Sequence, residues 1–237
     1  MVENLQGAII AAGRGERLRR STGNLPKPLV TLGGRTLLAR QAMMLLGVGA
    51  SEVLAVVNSE TAGLIEERKV EVPERLGLIV RDTANSMESL FALGERLAPG
   101  HFVLATVDAV LARDEMARFV CAARAMTLDG GFDGVLGVVA WRGDERPLFA
   151  EISANGAITR LGDRKARTVT AGIYFLSTRI FDFTTQARAA GLGAMRQFLG
   201  MLLGNDVRLG AFELSQAIDI DEVSDLEAAR ATIGDKA

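Results

Sequence analysis

The chain has 237 residues, within the range of one α/β domain, and nearly half of them are apolar, enough for a sizeable core. Its net charge of −2, with acids and bases mixed along the sequence, argues against a general nucleic-acid surface, which needs a basic excess. A single cysteine, Cys121, precludes an internal disulfide and fits a reducing compartment, and a single histidine, His101, disfavours a metal centre of the histidine-ligand type.

The apolar run Ala8 to Ala12 has the length and content of a buried strand. It leads into a loop with two closely spaced glycines, Gly13 and Gly15, and three arginines, Arg14, Arg17 and Arg19. A further cation, Lys27, is held between Pro26 and Pro28. Small residues let backbone approach an anion, and N–H groups with Arg and Lys neutralise it, so this stretch suits a phosphate-rich ligand. Two common phosphate loops fail on particular residues. A Walker A loop requires Lys-Ser or Lys-Thr after the glycines, and none follows. A dinucleotide fingerprint requires a third glycine where Leu18 stands.

What remains is A-A-G-x-G-x-R-L, followed by P-K-P-L-V. This pairing resembles the signature of the nucleotidyltransferase family that makes NDP-sugars and related activated alcohols, including choline- and inositol-phosphate cytidylyltransferases and the MobA-like NTP transferase domain. Ala11, Ala12, Gly13, Gly15, Arg17 and Leu18 match the first part, with Arg14 at a variable loop position; Pro26, Lys27, Pro28 and Leu29 match the second. The resemblance implies a Rossmann-like, mostly parallel sheet with helices on both faces. It also implies an NTP and a small phosphorylated acceptor as substrates, and Mg2+ as the cofactor.

Past the loop, Gly33-Gly34 signals a turn, and Thr36 caps a helix reaching about Leu46. Glu52 to Val57 reads as a strand, Ser59 to Arg68 as a helix, and Leu78 to Val80 as another strand. Strand, helix, strand, helix, strand favours parallel pairing through right-handed crossovers. Asn85 or Ser86 is placed to cap the next helix. Within it, N-x-x-x-S-L resembles the cytidylyltransferase pattern, which makes Asn85 and Ser89 candidate nucleotide contacts as well as local caps.

His101 to Val107 is the following strand, and Asp108 closes it. A carboxylate at the carboxyl end of a buried parallel strand faces the crevice where such sheets bind ligands, and magnesium on a nucleotide is its natural partner. The family has Gly-Asp there; this chain has Val107-Asp108. Arg113 to Met126 reads as an amphipathic helix, with Cys121 expected in the core. Asp129-Gly-Gly131 ends it, Phe132 to Val139 is strand-like, and Trp141 to Glu145 is a loop.

The texture changes over 147–177, read as an antiparallel excursion of a single domain spanning 1–237. Leu148 to Ile152, Ala157 to Leu161 and Val169 to Leu176 are its strands, with Asn155-Gly156 as a hairpin turn. The stretch T-A-G-I-Y-F resembles the family's acceptor-lining strand, with Gly172 as the point where the acceptor lies against backbone. Asp163-Arg-Lys165 offers cations for an acceptor phosphate or forms a solvated loop. Two helices, Arg179 to Ala189 and Met195 to Leu203, and a strand, Val207 to Phe212, follow. The closing run A-I-D-I-D-E-V-S-D-L-E resembles the family's D-x-D-T-P-E-D-L motif. Asp221 falls at its metal-binding position, Asp219 is the alternate, and Asp225 favours the helix N-terminus.

The combined expectation is a cytoplasmic, Mg2+-dependent nucleotidylyltransferase, with Arg17 and Lys27 as catalytic cations and Asp108 and Asp221 as metal ligands. Transfer would run from an NTP to a sugar-1-phosphate or related alcohol phosphate. A molybdenum-cofactor nucleotidyltransferase and a non-catalytic nucleotide-binding module are the alternatives. No nucleic-acid or membrane partner is expected, since no run reaches the roughly 18 apolar residues of a span. A homo-oligomer stays open.

Overall fold

The computed structural model describes residues 5–129, 131–143 and 147–233. Strand β1 (Gln6–Ala11) is buried along its whole length and leads through the glycine loop to the short helix α1 (Glu16–Ser21). A 3-10 turn, Lys27–Leu29, carries the Pro-Lys-Pro segment into a small hairpin, β2 (Thr31–Leu32) and β3 (Arg35–Thr36). There follow α2 (Leu37–Gly47), β4 (Val53–Val57), α3 (Ser59–Glu67), β5 (Leu76–Val80) and α4 (Ser86–Gly94). Each helix start has a side-chain cap: Thr36 for α2, Asn58 for α3 and Asn85 for α4. The central region comprises β6 (His101–Thr106), β7 (Ala109–Val110), α5 (Arg113–Leu128) and β8 (Gly134–Ala140). The chain then runs through β9 (Phe149–Ile152), β10 (Ile158–Leu161) and β11 (Thr168–Ser177). It ends with α6 (Thr184–Ala189), α7 (Met195–Gly204), β12 (Leu209–Glu213), β13 (Ile218–Asp219) and α8 (Val223–Ile233).

Among the described residues, nine strands join one sheet, with the path β10-β9-β11-β6-β1-β4-β5, β8 attached at β11 and β12 attached in turn to β8. The block β6-β1-β4-β5 is parallel, as the alternation of strands and helices requires. The excursion over 147–177 is antiparallel as expected, and it is continuous with the main sheet because β11 pairs with both β6 and β8. Helices cover both faces. Ile9 and Ala11 of β1 face a core shared with Leu38 and Leu45 of α2 and Phe119 of α5. Ala8 and Ile10 face the opposite core, with Leu90 and Phe91 of α4 and Phe198 and Leu199 of α7. Successive side chains of a strand point to opposite faces, so a strand between two helical layers must be apolar throughout.

Two expectations are corrected. Cys121 is exposed rather than buried. Helix α5 turns Met116, Phe119, Val120 and Ala123 toward the sheet, and position 121 falls off that face. The helix expected from Arg179 begins instead as a 3-10 segment, Thr178–Phe183, before α6. Gly130 of the break after α5, and residues 144 and 145 of the loop after Trp141, lie outside the described residues.

Candidate active site

The end of β1 meets the Pro-Lys-Pro turn through Gly15. This residue has φ +55°, in the left-handed region, and a β-carbon on it would stand 2.7 Å from Lys27 Cβ. Only glycine satisfies both conditions. The turn buries Lys27 and holds it with hydrogen bonds from Leu29 N–H to the Pro26 carbonyl, 2.9 Å, and from Val30 N–H to the Lys27 carbonyl, 3.1 Å.

Lys27 Nζ donates to Asp108 Oδ2 and to Asp221 Oδ1, both at 2.8 Å. Arg17 Nη2 donates to the other oxygen of Asp221, Oδ2, at 2.6 Å. Burial works against the charge on Lys27, but the two carboxylates outweigh it and push the ammonium up to about 12. Burial also works against the charge on Asp221; hydrogen bonds and charge from Lys27 and Arg17 hold its pKa below the ordinary value.

The closing acids reach Asp108 through a two-stranded ribbon. Strand β13 pairs antiparallel with β7, placing Asp219 opposite Ala109, and the Ile220 N–H donates to the Asp108 carbonyl at 3.1 Å. Asp108, Asp219 and Asp221 thereby each bring a carboxylate oxygen within 4.8 Å of the others. Desolvation, then repulsion from Asp108 and Asp221, raises Asp219 from 3.8 to about 7. The residue still exposes surface to solvent, which softens this shift without reversing its direction. Three convergent oxygen donors, with more negative charge than Lys27 and Arg17 neutralise, suit a hard divalent cation such as magnesium.

Three further residues support this cluster, and the sequence reading passed over two of them. Gln41, on the sheet-facing side of α2, is buried, and its Nε2 donates to the carbonyls of Thr106, at 2.9 Å, and Ala109. It clasps the turn that carries Asp108. The detectable signal was a glutamine inside an apolar helical face. Glu115 of α5 is also buried and accepts the Ser215 N–H at 2.8 Å, anchoring the approach to β13. Asp225, read as a helix-end acid, accepts the N–H groups of Asp221, at 2.9 Å, and Glu222, at 2.7 Å, and so fixes the backbone of Asp221.

A cavity of about 560 Å³ opens beside the three aspartates. Arg17, Asp108, Gly172 and Tyr174 line it, with Met195 and Leu199 from α7. Gly172 has φ +72°, at the register shift of β11 between Thr170 and Tyr174. A β-carbon there would lie 2.5 Å from Thr106 Oγ1 and 3.0 Å from Ala109 Cβ, so glycine is required for packing against the Asp108 turn as well as for lining the cavity.

The other nucleotide-contact candidates lie as follows. Ala11 and Ala12 are buried at the end of β1, and Gly13 and Arg14 are exposed in the loop. Asn85 Oδ1 caps α4 by accepting from Met87 N–H and Glu88 N–H, both at 3.0 Å. Ser89 is buried, and its Oγ lies 2.6 Å from Thr83 Oγ1. The neighbour that reaches the cavity is Ser86. Asp163 accepts from Arg160, at 3.1 Å, and from Lys165 N–H, at 3.0 Å, in a loop outside the cavity lining.

An open α/β sheet with a glycine–arginine loop after its first strand and acids at its carboxyl edge defines a nucleotide-handling protein of the nucleotidyltransferase type. A model of the MobA-like NTP transferase domain matches residues 7–178, and the chain belongs to that family. The match ends before Asp219 and Asp221. The chain is 23% identical over 196 residues to a mannose-1-phosphate guanyltransferase of Gibberella zeae, covering 75% of this chain and 51% of that protein. A counterpart from Yarrowia lipolytica is 35% identical over 65 residues, 27% of this chain and 18% of the relative. The chain thus spans at most about half the length of these relatives. Among solved structures, the inositol-1-phosphate CTP transferase of T. maritima superposes with a TM-score of 0.76 at 16% identity, covering 98% of this chain and 99% of that one. A putative glucose-1-phosphate thymidylyltransferase from Bacillus anthracis gives 0.79 at 18% identity, covering 96% and 94%. At these identities the likeness is one of fold.

Proposed function

We propose that this chain is a magnesium-dependent nucleotidylyltransferase that moves a nucleoside monophosphate from an NTP to a sugar-1-phosphate or related alcohol phosphate. The observation that carries the reading is the convergence of Arg17, Lys27, Asp108 and Asp221 beside the cavity. The relatives named for mannose-1-phosphate, inositol-1-phosphate and glucose-1-phosphate support a phosphorylated alcohol as acceptor.

Asp108 and Asp221, with Asp219 beside them, would hold the metal, which when bound supplies positive charge to the phosphates. Arg17 and Lys27 neutralise the triphosphate and the pyrophosphate as it separates. An oxygen of the acceptor phosphate attacks the α-phosphorus in line, and the bond to the bridging oxygen of the β-phosphate breaks. That oxygen keeps the electron pair and leaves as pyrophosphate. A phosphate monoester has its second pKa near ~6, so the nucleophile is already largely dianionic at neutral pH and needs no general base. Lys27, held cationic well above neutral pH, acts as donor and charge rather than as base.

Pyrophosphate release, measured across the four NTPs and a panel of sugar and polyol phosphates with magnesium, tests the reading. At least one pair should turn over, and Asp108→Asn should lower its rate by about 100-fold or more, since even residues one step removed from a metal are worth roughly 10–100-fold. A folded protein that turns over no pair would refute it.

A further inference from the structure

Three consecutive residues at the start of α3 fasten three separate segments. Asn58, just past β4, donates from Nδ2 to the Ala12 carbonyl at 3.2 Å, and its Oδ1 accepts the Thr61 N–H at 2.8 Å. Ser59 donates its N–H to Asp82 Oδ1 at 3.0 Å and its hydroxyl to Oδ2 at 2.6 Å, which ties down the stretch after β5. Glu60 accepts from both terminal nitrogens of Arg19, at 2.7 and 2.5 Å, and so holds α1. Asn58 is the buried member of the row. Its amide is oriented by both partners, since the Thr61 N–H needs an oxygen and the Ala12 carbonyl needs an N–H. Ala12 lies one residue beyond β1, past the last pair of the β1–β4 ladder, and takes its donor from Asn58 instead. The peptide that follows is trans, so the Gly13 N–H points opposite to that carbonyl, away from Asn58. Among the described residues, the Gly13 N–H meets no protein acceptor.

We infer that Asn58 is a positioning residue for the nucleotide: by gripping the Ala12 carbonyl it aims the Gly13 N–H at an oxygen of the NTP. The inference rests on the reading of the glycine loop as the NTP site. Gly13 has no side chain, and a β-carbon there would meet nothing within 4 Å, so packing does not set the direction of its N–H. The hydrogen bond to the preceding carbonyl does. Asparagine supplies an oxygen for the helix and an N–H for the loop at once. Aspartate would cap α3 equally well but would turn a second acceptor toward the carbonyl, and serine has a single oxygen for both tasks. Ser59 and Glu60 hold the segments on either side, which gives the loop fixed neighbours.

Asn58→Asp and Asn58→Ser test it against the parent chain. Calorimetry with magnesium and each of the four NTPs measures nucleotide binding, and pyrophosphate release gives KM for nucleotide and acceptor separately. Far-ultraviolet circular dichroism reports the fold. Both variants should bind the preferred NTP on the order of tenfold more weakly, within the loss that a misplaced contact produces, while the acceptor KM stays at the parent value. In the parent itself, the Gly13 amide resonance should shift when that magnesium nucleotide is added, a measurement that stands even if neither variant folds. Unchanged NTP affinity in a folded variant, a parallel rise of both KM values, or a Gly13 amide that none of the four NTPs moves would overturn the inference. Weaker NTP binding in the variants of a parent that turns over no pair would support the role of Asn58 and count against the transferase reading. Turnover by the parent with the same nucleotide KM in both variants would leave that reading standing and sink this one.

Discussion

Lys27 Nζ stands 2.8 Å from Asp221 Oδ1, although 194 positions separate the two residues. The same ammonium lies 2.8 Å from Asp108 Oδ2, so one side chain from the start of the domain ties together acids from its middle and its end. Lys27 is therefore an internal cation that holds the carboxylates in place and competes with any metal for them.

Lys27→Met tests that competition. Breaking a fully buried ion pair is worth roughly 3–5 kcal/mol; the two aspartates face the cavity, so about 2 kcal/mol is expected here. Millimolar magnesium should raise the melting temperature of the variant more than that of the parent, because the metal no longer displaces an ammonium. Equal magnesium shifts in the two proteins would show that Lys27 and the metal do not share ligands.

Asp219 sets a pH dependence. Its carboxyl is raised from 3.8 to about 7, so the fold favours its uncharged form. That contribution is in place below pH 3.8 and is lost as the pH rises through about 7, which weakens the metal-free protein across that window. Magnesium requires the charged form, so its affinity should fall on acidification from pH 8 to pH 6, with roughly one proton released per metal bound at pH 6 and almost none at pH 8. Calorimetric titrations in buffers of different ionisation enthalpy measure the proton count. An affinity that does not change with pH would remove Asp219 from the metal site.

Gln41→Leu leaves the Thr106 and Ala109 carbonyls without their buried donor. A loss of about 1–3 kcal/mol is expected from thermal or denaturant unfolding. If the clasp positions Asp108, the magnesium concentration for half-maximal turnover should also rise by roughly 10–100-fold. A stability loss with unaltered magnesium dependence would confine Gln41 to packing.

Gly15→Ala and Gly13→Ala differ in one respect that geometry predicts. At Gly15 the new methyl group adopts a left-handed conformation and meets Lys27, so a loss of about 1–2 kcal/mol and reduced turnover are expected. At Gly13 a β-carbon meets nothing within 4 Å, and stability should stay within about 0.5 kcal/mol. Similar losses at both positions would contradict the contact between the loop and Lys27.

Much of this architecture was legible along the chain. The caps Thr36 and Asn85 were marked by residue type, since a helix start needs a short polar acceptor for its orphan N–H groups. The buried strand at Ala8 to Ala12 was marked by unbroken apolarity, because helices cover both faces of that sheet. Cys121 was misjudged because a helical residue's burial depends on which face meets the sheet, and a short alanine-rich segment leaves that face ambiguous. The role of Gln41 was invisible for a related reason: it is defined by carbonyls of a turn 65 and 68 positions away, whereas Asp225 acts on N–H groups three and four positions away, within the helix start where the sequence placed it.

The sequence by itself determined the glycine–arginine loop, the Pro-Lys-Pro turn and the alternation of strands and helices, because these are encoded in local chemistry: permissive glycines, a φ fixed by proline, and hydrophobic period. Tertiary structure alone decided that Asp219 joins Asp108 and Asp221 and that Lys27 lies between two of the three. Those relationships depend on the pairing of β13 with β7 and on the reach of Lys27 across 81 and 194 positions, contacts between distant segments that no local spacing records.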